Sequence, residues 1–368
     1  MQKKKILIIL PSLLIGGAEK LAVSLANDWN IKGYQVEFVL LQKSGKFVDL
    51  IDQGVVIHDL NIRKLRNSIF PLYQLFKSIR PDVIWSGLWP LTSISVVAWI
   101  LTGRKGRLYT IDHNQLSIST VIKLKIPKLI LKIITRCTYP FATGNMVVAE
   151  GVKRDIVSLT GLPEETLKVM YNPAAQGIGL MRETSAEIKG QLWGNDPGKC
   201  ILSVGSFKEQ KNFKLLIETF NLLLSDDHAT LIILGDGGLR TELEQQINDL
   251  GLQDRIFLPG FMDDPSPWFL SADVFVLSSN WEGLPTVLVE ALDCGLPVVS
   301  TDTPSGPSEI LEDGLWGILV PLNDAKSLLN GIKESLAQTH DRKMLMKRAD
   351  AFSVHNISLK YLEYFKLL

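Results

Sequence analysis

The chain has 368 residues, more than the roughly 250–300 at which a single hydrophobic core stops growing, so two domains are expected. Hydrophobic residues at 46% and charged residues at 21% exclude a disordered, collagen-like or coiled-coil chain. Lys+Arg and Asp+Glu both number 39, and a formal charge of zero argues against a dedicated nucleic-acid binder.

The first apolar run, Ile6–Leu10 after Lys3-Lys4-Lys5, mimics a signal peptide. Its five residues stop at Pro11, and Glu19 and Lys20 follow, so a buried parallel strand is the better reading. Ala18–Lys32 reads as a helix stopped by Gly33, and strands follow at Val36–Leu41 and Val55–Asp59. Val83 to Gly103 carries no charge and is long enough to cross a bilayer, but Pro90 splits it into a strand, Val83–Ser86, and a helix, Leu91–Leu101. Strands at Leu108–Ile111, Asn145–Val148 and Lys168–Tyr171 complete the first series. Glycine-rich residues 174–198 read as a linker. A second series places strands at Ile201–Val204, Thr230–Leu234, Ile256–Leu258, Val274–Leu277, Val298–Ser300 and Gly317–Leu319. Strands alternating with helices give an α/β fold of two doubly wound parallel-sheet domains facing a central cleft. The expected boundaries are 1–173, a linker over 174–198, and 199–351.

The neutral total hides a split. Residues 1–172 carry 23 Lys+Arg against 12 Asp+Glu, or +11, which leaves −11 for residues 173–368. A basic half beside an acidic one suits an anionic surface met through one face, or two domains that attract each other. Cys137, Cys200 and Cys294 lie far apart without metal-ligand spacing, so a reducing compartment is expected.

In open α/β sheets ligands bind beyond the carboxyl ends of the strands, and the informative residues cluster there. Gly16-Gly17-Ala18-Glu19 opens a helix, whose N-terminal N–H groups suit a phosphate. Neither this run nor Gly235-Asp236-Gly237-Gly238, with Arg240 after it, is a G-x-G-x-x-G, which disfavours a nicotinamide dehydrogenase. Asp112-His113-Asn114 follows a strand, and His113 can bond a sugar hydroxyl or a loop carbonyl. Gly205-Ser206-Phe207-Lys208 leads to Lys211, and spacing alone does not decide which lysine would neutralise a phosphate.

The densest signal is Glu282-Gly283-Leu284-Pro285-Thr286 with Glu290 eight residues after Glu282. Proline favours a helix start, the N–H groups behind it suit a phosphate, and two carboxylates can each hold a diol. Thr301 to Ile310 reads as a rigid loop before a helix capped by Ser308.

In this order and spacing the residues resemble a retaining glycosyltransferase of family 4, with the GT-B architecture of two Rossmann-like domains. The resemblance spans Gly16 to Glu19, Val147 to Lys153, Val169 to Pro173, Gln210 to Phe213, Leu234 to Gly237, Glu282 to Pro285 with Glu290-Ala291, Gly295 to Val299 and Asp313 to Gly317. It implies a nucleotide-sugar donor, with Glu290 on the ribose, and Glu282 with the backbone of Gly283, Leu284, Pro285 and Thr286 around the transferred sugar. Lys211, Gly16 and Gly17 would meet the diphosphate, and His113 would lie near the sugar on the acceptor side. It implies no metal or other cofactor, and a C-terminal helix in 352–368 that returns to the first domain. Family members place Arg where this chain has Ser206; Lys208 is the candidate to compensate. A non-catalytic partner subunit and a sugar-nucleotide epimerase stay open as alternatives. UDP is the expected nucleotide with GDP second, and galactose or an N-acetylhexosamine the expected sugar.

Residues 121–136 read as a basic amphipathic helix without an acid. Lys123 belongs to it, and Lys125, Lys128, Lys132 and Arg136 recur at helical steps on one face. Arg63, Lys64 and Arg66 form a second cluster that Arg104, Lys105 and Arg107 would extend if they share a face. Peripheral attachment to the cytoplasmic face of a membrane, and a lipid-linked saccharide or polysaccharide acceptor in surface-glycan biosynthesis, are the expectations.

Overall fold

The structure, a computed structural model, describes residues 3–14, 16–119, 125–183, 185–224 and 228–368. It divides into two compact units: Met1–Pro173 with Val354–Leu368, and Ala174–Ser353.

Unit 1 holds strands β1 (Lys5–Leu10), β2 (Gln35–Leu40), β3 (Val56–Asp59), β4 (Val83–Gly87), β5 (Arg107–Asp112), β6 (Gly144–Val147) and β7 (Leu167–Val169). Their order in the sheet is β3-β2-β1-β4-β5-β6-β7. Every described pairing is parallel. Ile6 to Leu10 is almost wholly buried, as a strand covered on both faces must be. The Gly17–Ile31 helix buries Leu21, Leu25 and Trp29 at four-residue steps, and Gly33 ends it with φ +90°.

The C-terminal helix, Val354–Tyr364, lies against the same face of the sheet as the Gly17–Ile31 helix. Tyr361 and Phe365 close an aromatic cluster, with ring centroids 6.1 and 5.8 Å from Trp29. Trp85 of β4 lies 5.9 Å from Tyr361, edge to face. The buried side of this helix is Ile357, Tyr361 and Leu362, whereas Leu359 is only half-buried.

Unit 2 holds β8 (Lys199–Val204), β9 (Ala229–Leu234), β10 (Ile256–Gly260), β11 (Val274–Leu277), β12 (Val298–Thr301) and β13 (Ile318–Val320), in the order β10-β9-β8-β11-β12-β13. These pairings are parallel too. Its core gathers Phe207, Phe213, Phe220, Leu231, Val276 and Leu328 between the sheet and its helices.

Three expectations need correction. Residues 174–198 are not a linker but part of unit 2. Ala186–Trp193 is helical, Trp193 is buried against Trp268 at 5.7 Å, and its Nε1 donates to Ser271 Oγ. The glycines that suggested flexibility are outweighed by this anchor and by Asp293, whose carboxylate accepts the N–H groups of Gln176, Gly177 and Ile178 at 2.9–3.1 Å. Phe352 also stays with unit 2, since its carbonyl accepts from Ala174 and Ala175. Finally, Ser308 is not a cap. The Pro307–Leu311 helix begins after Gly306, whose N–H donates to Glu309.

Candidate active site

Each sheet has one place where the strand order reverses: between β1 and β4 in unit 1, and between β8 and β11 in unit 2. Loops leaving two such strands diverge and leave a crevice at their carboxyl ends. In unit 2 this brings Lys211, after β8, to Glu282, after β11. Glu282 is 7% exposed, and a carboxylate so placed needs partners. Its Oε1 accepts from Lys211 Nζ at 2.7 Å and Ser279 Oγ at 2.6 Å, and its Oε2 from Gln210 Nε2 at 3.2 Å. Two bonds to backbone carbonyls tie the two loops further, Asn280 N–H to Gln210 O and Ser278 Oγ–H to Lys211 O.

Burial separates the two lysines that spacing left equivalent. Lys211 is the enclosed one, its stem passing over Gly205, where a Cβ would come within 3.0 Å of its Cε. Lys208 and Ser206 are exposed on the same loop.

The Thr286–Asp293 helix starts behind Pro285, with Gly283 and Leu284 buried before it. Glu290 lies one turn in and is half-buried. Ser305 Oγ donates to the Gly283 carbonyl at 2.9 Å. At Gly306, with φ +97°, a Cβ would come 2.5 Å from that carbonyl oxygen. The proline-rich loop after β12 is therefore packed onto the Glu282 loop and fixes its course.

Sequence reasoning gave Gly235 and Gly237 no role. Both have positive φ, and a Cβ on them would strike the backbone oxygens of Gly205 and Phe207 at 1.9 and 2.6 Å. They let the loop after β9 press against the loop that carries Lys211. Arg240 locks the contact, with its guanidinium 5.2 Å over Phe207 and its Nε 2.9 Å from Asp236.

In unit 1, Gly16 caps the Gly17–Ile31 helix in an extended conformation. A Cβ at Gly16 would come within 2.3 Å of Glu19 Oε2, while Gly17 faces open space. A carboxylate thus already occupies this helix end, where the dipole favours it.

His113 follows β5 and is 8% exposed. Its ring lies beside the end of β4, where a Cβ on Gly87 would be 3.7 Å from Nε2. Neither ring nitrogen has a hydrogen-bond partner among the described residues, and neither does Asn172 Oδ1. Burial pushes the imidazole down to about 4, and the nearby Asn172 offsets part of this without reaching hydrogen-bond geometry. His113 is therefore neutral at pH 7 and free to bond a hydroxyl.

Asp112 was not singled out from sequence. It is fully buried, with Tyr139 Oη 2.8 and 3.1 Å from its two oxygens. Burial raises its carboxyl to about 7 against the lowering bond from Tyr139, and Asp155 adds to the rise.

Among the described residues no group of three or more His, Cys, Asp or Glu is placed to hold a metal ion. Asp264 is engaged by Arg182 at 2.7 Å and by Ser266 N–H.

The basic segment differs from its expectation. The helix runs over Lys128–Thr138, starting after Pro127, and Lys125 lies outside it with φ +52°. Lys123 lies outside the described residues. Lys128, Lys132 and Arg136 follow one another on successive turns, while Leu131, Thr135 and Thr138 face inward. Leu129, Ile130 and Ile133 are 69%, 46% and 54% exposed. Among the described residues no helix is long and apolar enough to cross a membrane. Arg104 lies over Phe141 at 5.2 Å, whereas Arg107 opens β5 and faces a cavity beside the C-terminal helix.

Comparison with known proteins covers both units. The profile described as Glycosyltransferase Family 4 matches residues 15–174, and that described as Glycosyl transferases group 1 matches residues 185–352. A relative from Campylobacter jejuni is 30% identical over 71% of this chain and 70% of its own length. It is described as an N-acetylgalactosamine-N,N'-diacetylbacillosaminyl-diphospho-undecaprenol 4-alpha-N-acetylgalactosaminyltransferase. An Escherichia coli UDP-Gal:alpha-D-GlcNAc-diphosphoundecaprenol alpha-1,3-galactosyltransferase is 25% identical over 80% of this chain and 78% of its own. Among solved structures, a glycosyltransferase from Rickettsia africae superposes with a TM-score of 0.82 at 17% identity, covering 100% of this chain and 98% of that one. Anabaena Alr3699/HepE in complex with UDP gives 0.79 at 21%, covering 99% and 100%. With two parallel-sheet Rossmann-like units, a profile match on each and this relative across most of its length, the chain belongs to the glycosyltransferases of family 4, of GT-B fold.

Proposed function

We propose that the protein transfers a hexose or N-acetylhexosamine from a UDP-sugar to a lipid-linked saccharide in surface-glycan assembly, with retention of configuration and without a metal. The observation that carries this reading is Glu282, buried and held by Lys211, Gln210 and Ser279 at the switch point of unit 2. A carboxylate fixed by three donors offers its remaining lone pairs to sugar hydroxyls at a defined place. Glu290, on the helix behind it, takes the ribose diol. The diphosphate leaves against Lys211, exposed Lys208 and the N–H groups at the start of the Thr286–Asp293 helix, which stabilise its growing charge. Ser206 brings no charge, so Lys208 carries the share of a missing guanidinium.

Both Glu282 oxygens are already engaged, which makes it a poor covalent nucleophile. The leaving diphosphate therefore takes the acceptor proton on the same face, and within unit 1 His113, neutral at pH 7, is the side chain assigned to a sugar hydroxyl. Two relatives named for diphospho-undecaprenol substrates support the acceptor class. The Lys128–Thr138 helix, basic on three turns with apolar neighbours exposed, supports peripheral attachment to the cytoplasmic face of an anionic membrane.

The test is thermal unfolding with UDP, GDP and their sugars in EDTA, followed by transfer to undecaprenyl-diphosphate saccharides. A ligand at 100 times its Kd adds about 2.7 kcal/mol, an easily measured rise in Tm. UDP compounds should shift the wild type and leave Glu290→Ala unmoved. No shift by any nucleotide at millimolar concentration would overturn the proposal.

A further inference from the structure

Unit 1 contains a recess at the amino-terminal end of β5, whereas His113 follows its carboxyl end. It is a cavity of about 750 Å³ between the C-terminal helix, the start of β5 and the edge strand β7. Its size is that of a small-molecule site. Arg107, Lys168, Lys360 and Lys366 line it, against one carboxylate, Glu363. None of the four cations makes an ion pair or side-chain hydrogen bond among the described residues. Asp82 feels Arg107 but is taken by Lys4 Nζ and the Lys5 N–H.

Nor do the lysines serve as helix caps. The last carbonyls of the C-terminal helix are already satisfied. Tyr361 O accepts from Phe365 N, Leu362 O from Leu367 N and Glu363 O from Lys366 N, while Tyr364 O accepts from Tyr109 Oη at 3.3 Å. The walls include two rings, Tyr109 and Tyr364, tilted 56° to one another with centroids 5.3 Å apart. Gly144 makes room for the Tyr364 hydroxyl, which would lie 2.5 Å from a Cβ there. Among the described residues that hydroxyl has no hydrogen-bond partner, so it stands as a further donor.

Four uncompensated cations around an aromatic wall concentrate anions, and Arg and Lys are the phosphate-binding side chains. We propose that this cavity is a second ligand site, independent of the donor site, for a phosphate-bearing molecule with a flat or apolar body. Two sources share that chemistry: a soluble phosphorylated compound and the phosphorylated headgroup of a lipid.

Equilibrium dialysis with inorganic pyrophosphate and co-sedimentation with phosphatidylglycerol vesicles test it on the full chain. The proteins compared are the wild type, Lys360→Gln/Lys366→Gln, Lys168→Gln on β7, and Lys43→Gln/Lys77→Gln, which removes equal charge elsewhere in unit 1. All positions changed are exposed, and Tm checks that each variant folds. The double variant at the cavity should bind one pyrophosphate site at least tenfold more weakly, Lys168→Gln should weaken the same site, and the control should match the wild type. Loss confined to pyrophosphate assigns a soluble ligand, and loss of vesicle binding assigns a lipid headgroup. Equal binding of both probes by the cavity variants and the control, or no saturable binding of either probe to the wild type, overturns the proposal.

Discussion

Asp112 and His113 are neighbours in sequence and opposites in titration. The Asp112 carboxyl is raised to about 7 by burial, so its stabilisation is complete below about pH 3.8 and is lost as pH rises through 7. The His113 imidazole is lowered to about 4 by burial, so its stabilisation is complete above 6.5 and is lost as pH falls through 4. Between pH 4 and 7 the two slopes oppose each other, at about 3–4 kcal/mol each at most. Single variants should separate them in urea titrations. Relative to wild type, Asp112→Asn gains stability as pH rises from 4 to 8, and His113→Asn gains it as pH falls from 7 to 4. Parallel pH profiles for all three proteins would refute this.

Lys211 was legible as a cation after a strand, but its partner was not. Spacing says nothing about which loop a reversal of strand order will bring alongside. Removing one member of a buried pair costs about 3–5 kcal/mol, so Lys211→Ala should lower stability by that order as well as abolish transfer. Lys208→Ala, at an exposed position, should leave stability within about 0.5 kcal/mol and weaken donor binding.

Elements with long apolar runs read well from sequence. All thirteen expected strands are present, and the central ones, such as Ile6–Leu10 and Val274–Leu277, read most plainly because a strand buried on both faces must be continuously apolar. Short polar elements did not read well. The Ala186–Trp193 helix buries only Trp193 of its three large apolar residues, and the Asp293 contact is set by tertiary structure. An acid at a helix C-terminus is disfavoured by the dipole, and Asp293 stays there because three N–H groups reward it. Asp293→Ala should cost about 3 kcal/mol in denaturant titration, and Asp293→Asn less.

The Lys128–Thr138 helix was legible as basic and amphipathic, but Pro127 precedes its first turn and leaves Lys125 outside the helix. Alternating cation and apolar exposure makes two separable predictions for vesicle binding. Lys128→Gln/Lys132→Gln should reduce binding in a salt-dependent way. Ile133→Ser should reduce it equally at low and high salt. If neither variant departs from wild type, this helix is not the attachment surface.

At the scale of the whole molecule, the two-domain α/β plan follows from chain length and strand count, while the return of the C-terminal helix to unit 1, expected over 352–368 and observed over 354–368, came from resemblance. Ile357, Tyr361, Leu362 and Phe365 are all buried. At about 1.5–3 kcal/mol per buried side chain, their loss rivals the whole stability of an average domain, about 5–15 kcal/mol. A chain ending at Ser353 should therefore lose the cooperative unfolding of unit 1 in calorimetry while keeping that of unit 2.

The path of the chain has a consequence for biosynthesis. Unit 2 is an insertion within unit 1, and the backbone enters and leaves it side by side, where Ala174 and Ala175 meet Phe352 and Ser353. The domain begun first on the ribosome is thus the one finished last. Until residues 354–368 emerge, Trp29, Trp85 and Tyr109 lack their aromatic cover, and the nascent first domain presents the apolar patch that chaperones and proteases recognise. Unit 2 has all its strands by then and can fold ahead of the domain that encloses it in sequence.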